Sequence, residues 1–280
     1  MRKRKNIDII TANSFGEEWN RFSQENLSSN ESNVRFEEYF GIFPWEDLPN
    51  NAEGIDVGCG SGRWDKFVAP RVGILHCVEP AQKAISVAKK NLRDFSNIIF
   101  HNVSLDDLEI RKESQDFLFS LGVLHHVPDT FLALKSCVKF LKPGAPILVY
   151  LYYKFDNRSR WFKFIWKISN FLRLIIIKLP SNFKNLICEI IALTIYLPLA
   201  KLSYLLEKCS FNVNSIPLSY YRKFSFYSMR TDARDRFGTP LENRFTRDEI
   251  IKMCNDAGLE NVKFSNKPPY WCFVANKKIK

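Results

Sequence analysis

The stretch Ile55-Asp56-Val57-Gly58-Cys59-Gly60-Ser61-Gly62 places three glycines between a short apolar run and a helix-like segment. At such a junction the backbone must turn sharply and let a ligand come close, which glycine permits because it has no Cβ. A nucleotide-like cofactor is the functional reading, and a plain tight turn is the alternative. Spacing narrows the cofactor class. A dinucleotide fingerprint is GxGxxG, whereas this loop is GxGxG led by an acid two residues before the first glycine. A Walker loop needs Lys-Ser or Lys-Thr after its glycines, and neither pair follows Gly62.

From 52 to 153, apolar runs alternate with helix-like segments, the pattern of a parallel sheet covered by helices. The spacing predicts strands at 54–57, 73–79, 97–103, 116–121 and 146–152. Helices are predicted at 81–95 and 130–141, the second stopped by Lys142-Pro143-Gly144. Near the end, Thr246-Arg247-Asp248-Glu249 reads as a capping box, with Gly258 closing the helix after Ala257. Two further strands, 261–265 and 270–275, are spaced across Pro268-Pro269 like an antiparallel hairpin at a sheet edge.

Glu79 ends the second predicted strand, about twenty residues past the glycine loop, where a carboxylate can hold the two hydroxyls of a ribose. With the acid-led loop, this resembles the class I S-adenosylmethionine-dependent methyltransferases, and more narrowly the methyltransferase type 11-like group marked by Asp-x-Gly-Cys-Gly-x-Gly. The resemblance covers about 52–153 and 246–276. It implies a Rossmann-like, seven-stranded, mostly parallel α/β sheet with an antiparallel C-terminal hairpin and a helical insertion after the fifth strand. It also implies S-adenosyl-L-methionine bound by Asp56, Gly58, Cys59, Gly60, Ser61 and Gly62, with Glu79 and Pro80 at the ribose. Asn102, Val103 and Ser104 fall where the family holds adenine, although aspartate is frequent at the position of Asn102. Ser120, Leu121 and Gly122 fall beside the methionine end.

Displacement of a methyl group from a sulfonium needs alignment and exclusion of water rather than a metal. An oxygen or nitrogen acceptor calls for a general base, and His125 and His126 follow the fourth strand with near-neutral intrinsic pKa values. Their structural alternatives are capping the next helix and packing beneath the site. Tyr152 is the third candidate catalytic residue, one of the tyrosines Tyr150, Tyr152 and Tyr153 at the end of the fifth strand. Phe15, Trp19 and Phe22 recur at helical spacing and fit either an N-terminal lid or core packing.

Three segments follow: an N-terminal helical lid (1–50), a cofactor-binding domain (51–153 and 241–280), and a helical insertion (154–240). The insertion interleaves Arg160, Lys163, Lys167, Arg173 and Lys178 with a wide apolar face. One reading packs that face inward as a lid or homodimer interface, and another lays 160–206 on an anionic membrane. A transmembrane span over 186–206 is not expected, because Glu189, Pro198 and Lys201 interrupt it. Arg230, Asp232, Arg234, Asp235 and Arg236 either recognise a polar acceptor or form ion pairs fastening the insertion to the sheet domain.

The chain has 280 residues, 41 Lys+Arg against 30 Asp+Glu, and a net charge of +11, which favours anionic partners without choosing among them. The basic start, Met1 to Lys5, is read as a solvated terminus rather than a nucleic-acid or lipid contact, and no apolar secretory stretch follows it. Seven scattered cysteines, never in a CxxC pair, argue against structural zinc and for a reducing, cytoplasmic setting. The expected acceptor is a small or lipid-linked molecule, with oxygen favoured. A nucleic-acid methyltransferase is the enzymatic rival, but no Asn/Asp-Pro-Pro-Tyr motif follows the fourth strand, and Asn266-Lys267-Pro268-Pro269-Tyr270 is an interrupted likeness near the C-terminus. A noncatalytic membrane- or protein-binding module on the same fold is the remaining alternative.

Overall fold

A computed structural model describes residues 5–25 and 27–279. Met1 to Arg4, most of the basic start, lie outside the described residues. The chain runs α1 (Ile9–Arg21), α2 (Ser29–Phe40), β1 (Glu53–Val57), α3 (Asp65–Val68), β2 (Ile74–Val78), α4 (Gln82–Asn91), β3 (Ile98–His101), β4 (Phe117–Leu121), α5 (Thr130–Phe140) and β5 (Pro146–Tyr150). It continues through α6 (Arg160–Ile176), α7 (Ser181–Ile191), α8 (Leu197–Lys208), α9 (Phe226–Gly238), α10 (Arg247–Ala257), β6 (Leu259–Phe264) and β7 (Cys272–Lys277). The described residues divide into two compact units: 5–24, 33–156 and 241–279 form the first, and 25, 27–32 and 157–240 the second.

The first unit is built on one seven-stranded sheet in the order β3-β2-β1-β4-β5-β7-β6. Strands β1 to β5 pair in parallel, while β7 pairs antiparallel with both β5 and β6. This is the α/β sheet with a C-terminal hairpin expected from the sequence. Both faces are covered, so the central strands read as continuous apolar runs. Leu118 and Ile147 face Leu134, Cys137 and Ile250, whereas Phe117, Phe119 and Leu148 face Phe36, Phe40 and Val68. The helix ends follow local chemistry. Asp129 accepts from Leu132 N at 2.9 Å to start α5, and Thr246 and Glu249 form the reciprocal box at the start of α10. Gly258, at φ +88°, closes α10.

Several strand boundaries differ from expectation by one or two residues, and two of them bear on predicted site residues. β3 stops at His101, leaving Asn102 to Ser104 in the following loop, and β5 ends at Tyr150, so Tyr152 lies beyond the strand. Past Leu151, which exchanges backbone hydrogen bonds with Trp271 at 3.2 Å, the chain leaves the sheet ladder. Tyr153 makes an isolated bridge to Phe245, and Tyr152 O accepts from Phe245 N at 2.9 Å.

The second unit is helical, with Ile176, Ile191, Tyr196, Met229, Ala233 and Phe237 in its core. α7 continues through a wider turn at 192–196 into α8, giving one helix over Ser181–Lys208 that is long and apolar enough to cross a bilayer by length and composition, with 28% of its apolar window buried. α9 carries the mixed-charge cluster. Arg230 forms a two-point pair with Glu189 at 2.6 and 2.7 Å, Arg234 donates to Asn185 at 2.8 Å, and Arg236 donates to Ser169 at 3.2 Å. These contacts tie α9 to α6 and α7 within the unit. Six of the seven cysteines are buried, and Cys209, just past α8, is exposed.

Candidate active site

Beyond Val57 the chain turns through Gly58, Gly60 and Gly62, all left-handed at φ +84°, +56° and +75°. A side chain in that region is strained by about 1–2 kcal/mol, which explains the residue type at all three positions. The loop is anchored from below, where Gly58 N and Cys59 N donate to Val78 O at 2.7 and 3.2 Å. From the side, Asn91 Nδ2 donates to Ser61 O at 2.9 Å.

Glu79 connects this loop to the next strand–helix junction. Its Oε2 accepts from Gly60 N at 3.1 Å and its Oε1 from Ala81 N at 2.9 Å. Each carboxylate oxygen keeps a second lone-pair direction, so the pair can still receive two hydroxyl donors. Burial raises the Glu79 carboxyl to about 7, against the opposing pull of the backbone donors at Ala81 and Gly60. Behind it, Asn102 Nδ2 donates to Glu79 O at 2.9 Å and to Pro80 O at 3.2 Å. That orientation leaves the exposed Asn102 carbonyl oxygen as an acceptor. Val103 and Ser104 follow it, both partly exposed.

Asp56 sits beneath the loop, only 2% exposed. Burial first, and then the charge of Asp65, push its carboxyl well above the usual range, and the two acids hydrogen-bond to each other. A shared proton follows. Asp56 Oδ2 and Ser61 Oγ are buried with no hydrogen-bond partner among the described residues. Unsatisfied polar atoms in a cradle of left-handed glycines are compatible with a polar ligand there, and the Glu79 carboxylate is suited to a sugar diol. The residues fit S-adenosylmethionine.

The far side of the site is aromatic. Ser120 Oγ donates to Val57 O at 2.9 Å, fixing the end of β4 to the end of β1. Leu121 is buried, and Gly122 follows at φ +81° with only Tyr150 Cδ1, at 3.9 Å, near a notional Cβ. His125 is fully buried and stacks on Tyr152 at 3.8 Å and 28°. Burial, together with the charges of His126 and Arg244, holds its imidazole well below the usual pKa, so it is neutral. His126 lies 4.1 Å from it, ring to ring, and meets Leu241 O through Nδ1 at 2.6 Å. Since a carbonyl only accepts, Nδ1 carries a proton, leaving Nε2 as the nitrogen that can take up or release one.

Helix α1 approaches both halves. Phe15 is 4.9 Å from the His126 ring, and the Trp19 indole Nε1 lies 2.7 Å from where a Cβ on Gly60 would stand. Phe22 is a core residue at 2% exposure. The same helix buries Thr11, Ser14 and Glu18, polar residues that hydrophobic periodicity passes over. Two further members were missed. Tyr39 packs on Tyr150 at 5.3 Å, and Arg244 lies over Tyr152 at 4.8 Å while its Nε donates to Glu242 at 2.6 Å. Neither belongs to a local motif, and the aromatic run Tyr39-Phe40 reads as ordinary core. His76 and His101 bond to each other at 2.9 Å on neighbouring strands, away from these contacts. No group of His, Cys, Asp and Glu able to hold a metal occurs among the described residues.

Sheet order, glycine loop and acidic partner are of the kind the class I S-adenosylmethionine-dependent methyltransferase fold displays. Residues 55–149 match the family described as "Methyltransferase domain". A ubiquinone biosynthesis O-methyltransferase from Idiomarina loihiensis is 33% identical over 108 residues, covering 36% of this chain and 44% of that protein. The protein of the same name from Agrobacterium fabrum is 28% identical over 109 residues, covering 38% and 44%. The matches thus span under half the length of these curated relatives. Among solved structures, a Methanosarcina mazei S-adenosylmethionine-dependent methyltransferase aligns at a TM-score of 0.51 and 16% identity, covering 85% of this chain and 99% of that one. Haemonchus contortus phosphoethanolamine N-methyltransferase 2, solved with S-adenosylmethionine, aligns at 0.50 and 15%, covering 92% and 44%. At such identities these two structures speak to the fold alone.

Proposed function

We propose that this protein transfers a methyl group from S-adenosylmethionine to the oxygen of a small or lipid-linked acceptor. The observation that carries the reading is the Glu79 carboxylate bridging Gly60 N and Ala81 N beside three left-handed glycines. The names of the two O-methyltransferase relatives support an oxygen acceptor.

The bound cofactor supplies a sulfonium-activated methyl group. Glu79 would hold the ribose hydroxyls, the Asn102 carbonyl oxygen would be available to an adenine amine, and Gly122 would leave room for the methionine end. The aromatic groups of Tyr150, Tyr152 and Phe15 exclude water and present faces suited to a cation. Holding acceptor and methyl in line supplies roughly 7–11 kcal/mol of the barrier reduction. His126 takes the acceptor's proton on Nε2, with Nδ1 fixed by Leu241 O, while buried His125 packs behind Tyr152 and positions it.

Isothermal titration with S-adenosylhomocysteine, followed by incubation of cell extracts with methyl-labelled S-adenosylmethionine, tests the reading. Saturable one-to-one binding and label in an ether product are expected. A folded protein that binds no cofactor overturns the enzymatic assignment, whereas label recovered only in amines or nucleic acid overturns the acceptor.

A further inference from the structure

In the second unit α6 and α7 bury polar side chains beside their apolar core positions and leave an apolar stripe exposed. On α6 the partly or fully buried positions include Ser169, Asn170 and Arg173, and Arg173 donates to Asn170 Oδ1 at 3.1 Å and to Thr239 O at 2.8 Å. The opposite face carries Trp161, Phe164, Ile168, Phe171 and Ile175, all between 47% and 64% exposed. Their spacing of three, four, three and four residues makes a continuous stripe along the helix. α7 repeats the arrangement. Lys184 is buried and Asn185 and Glu189 are held by Arg234 and Arg230, while Phe183, Leu186, Ile190 and Leu193 are 48–62% exposed. Glu189, which interrupts the apolar run in the sequence, is thus turned toward α9 and away from the stripe.

The charge around these stripes selects their partner. Arg160, Lys167, Lys178, Lys201 and Lys208 are exposed along the same helices. The acids between 160 and 208 are Glu189 and Glu207, and both are engaged, Glu207 by Arg222 at 2.7 Å and Lys223 at 3.2 Å. A second copy would bring two basic margins together. An anionic bilayer instead receives the apolar stripe among its acyl chains and pairs its headgroups with the cations, whose aliphatic stems reach outward.

We infer that α6 and the α7–α8 helix form a docking surface for an anionic phospholipid bilayer, lying in its interface through their exposed apolar stripes. The surface is independent of the methyl-transfer reading.

Flotation of the full-length protein with phosphatidylcholine vesicles, with and without phosphatidylglycerol, tests this, because bound protein rises while self-aggregates sink. The expected result is flotation with the anionic vesicles and at least about tenfold weaker binding to the neutral ones. The double variant Phe164→Glu/Phe171→Glu is expected to lose vesicle binding at least about tenfold, since both positions face solvent in the free protein. Unchanged S-adenosylhomocysteine affinity and melting temperature in that variant separate the surface from the cofactor site. Three results overturn the proposal: wild-type protein that stays at the bottom with anionic vesicles, a double variant that floats equally well, or a wild-type dimer that the double substitution dissociates while vesicles never bind.

Discussion

Glu79 is hydrogen-bonded to the glycine loop that it is placed to serve: its Oε2 accepts from Gly60 N at 3.1 Å, although 19 residues separate them in the chain. Loop geometry and the proposed ribose recognition therefore meet in one carboxylate.

The protonation state of that carboxylate should be visible in binding. Burial raises Glu79 to about 7, so its ionised fraction grows from roughly a tenth at pH 6 to roughly nine tenths at pH 8. Affinity for S-adenosylhomocysteine, measured by titration calorimetry, should rise about tenfold across that range. Glu79→Gln should weaken binding and flatten the dependence. Stability responds with the opposite sign. The folded state holds this proton more tightly than the unfolded chain, so between the ordinary carboxylate range and about pH 7 this group lowers the stability of the free protein as pH rises.

Gly60 and Gly122 are both left-handed, yet an alanine meets different surroundings at each. At Gly60 the new Cβ would stand 2.7 Å from Trp19 Nε1, while at Gly122 the nearest atom is 3.9 Å away. Thermal melts should show Gly60→Ala destabilised by about 1–3 kcal/mol more than Gly122→Ala. Calorimetry on Gly122→Ala should nonetheless reveal at least about tenfold weaker cofactor binding, because its Cβ enters the space assigned to the methionine end.

The two adjacent histidines should separate kinetically. His125→Phe preserves a ring against Tyr152 and should retain kcat within about threefold. His126→Asn should lower kcat by about 10²–10⁴ and remove the acidic limb of the pH–rate profile, the usual signature of a lost general base. Equal losses in the two variants would assign the base role elsewhere.

Arg230→Met leaves the Glu189 carboxylate without its two-point partner on α9. A loss of about 1–3 kcal/mol in stability is expected, read by chemical denaturation, with cofactor affinity unchanged. A change in affinity without a change in stability would return the cluster to acceptor recognition.

The strands, the capping box at Thr246 and the pairing of the glycine loop with Glu79 were legible because each is local: an apolar run, a four-residue pattern, a fixed spacing. The aromatic wall was not. Tyr39, Tyr152 and Arg244 meet only through the order in which the strands and their following loops assemble, and nothing near Arg244 in sequence points to Tyr152. Nor does periodicity give direction. It showed that α6 has an apolar face but not that Arg173 and Asn170 would occupy the inner side. The cluster from Arg230 to Arg236 was likewise visible as charge, while its partners Glu189, Asn185 and Ser169 lie more than forty residues away.

Cys209 gives the unaltered polypeptide a built-in spectroscopic handle. Because the six remaining thiols are buried, a maleimide dye or nitroxide should attach at this one position under native conditions. The label would sit just past Lys208, beside exposed Phe211, where its polarity or relaxation reports local wetting without an engineered residue.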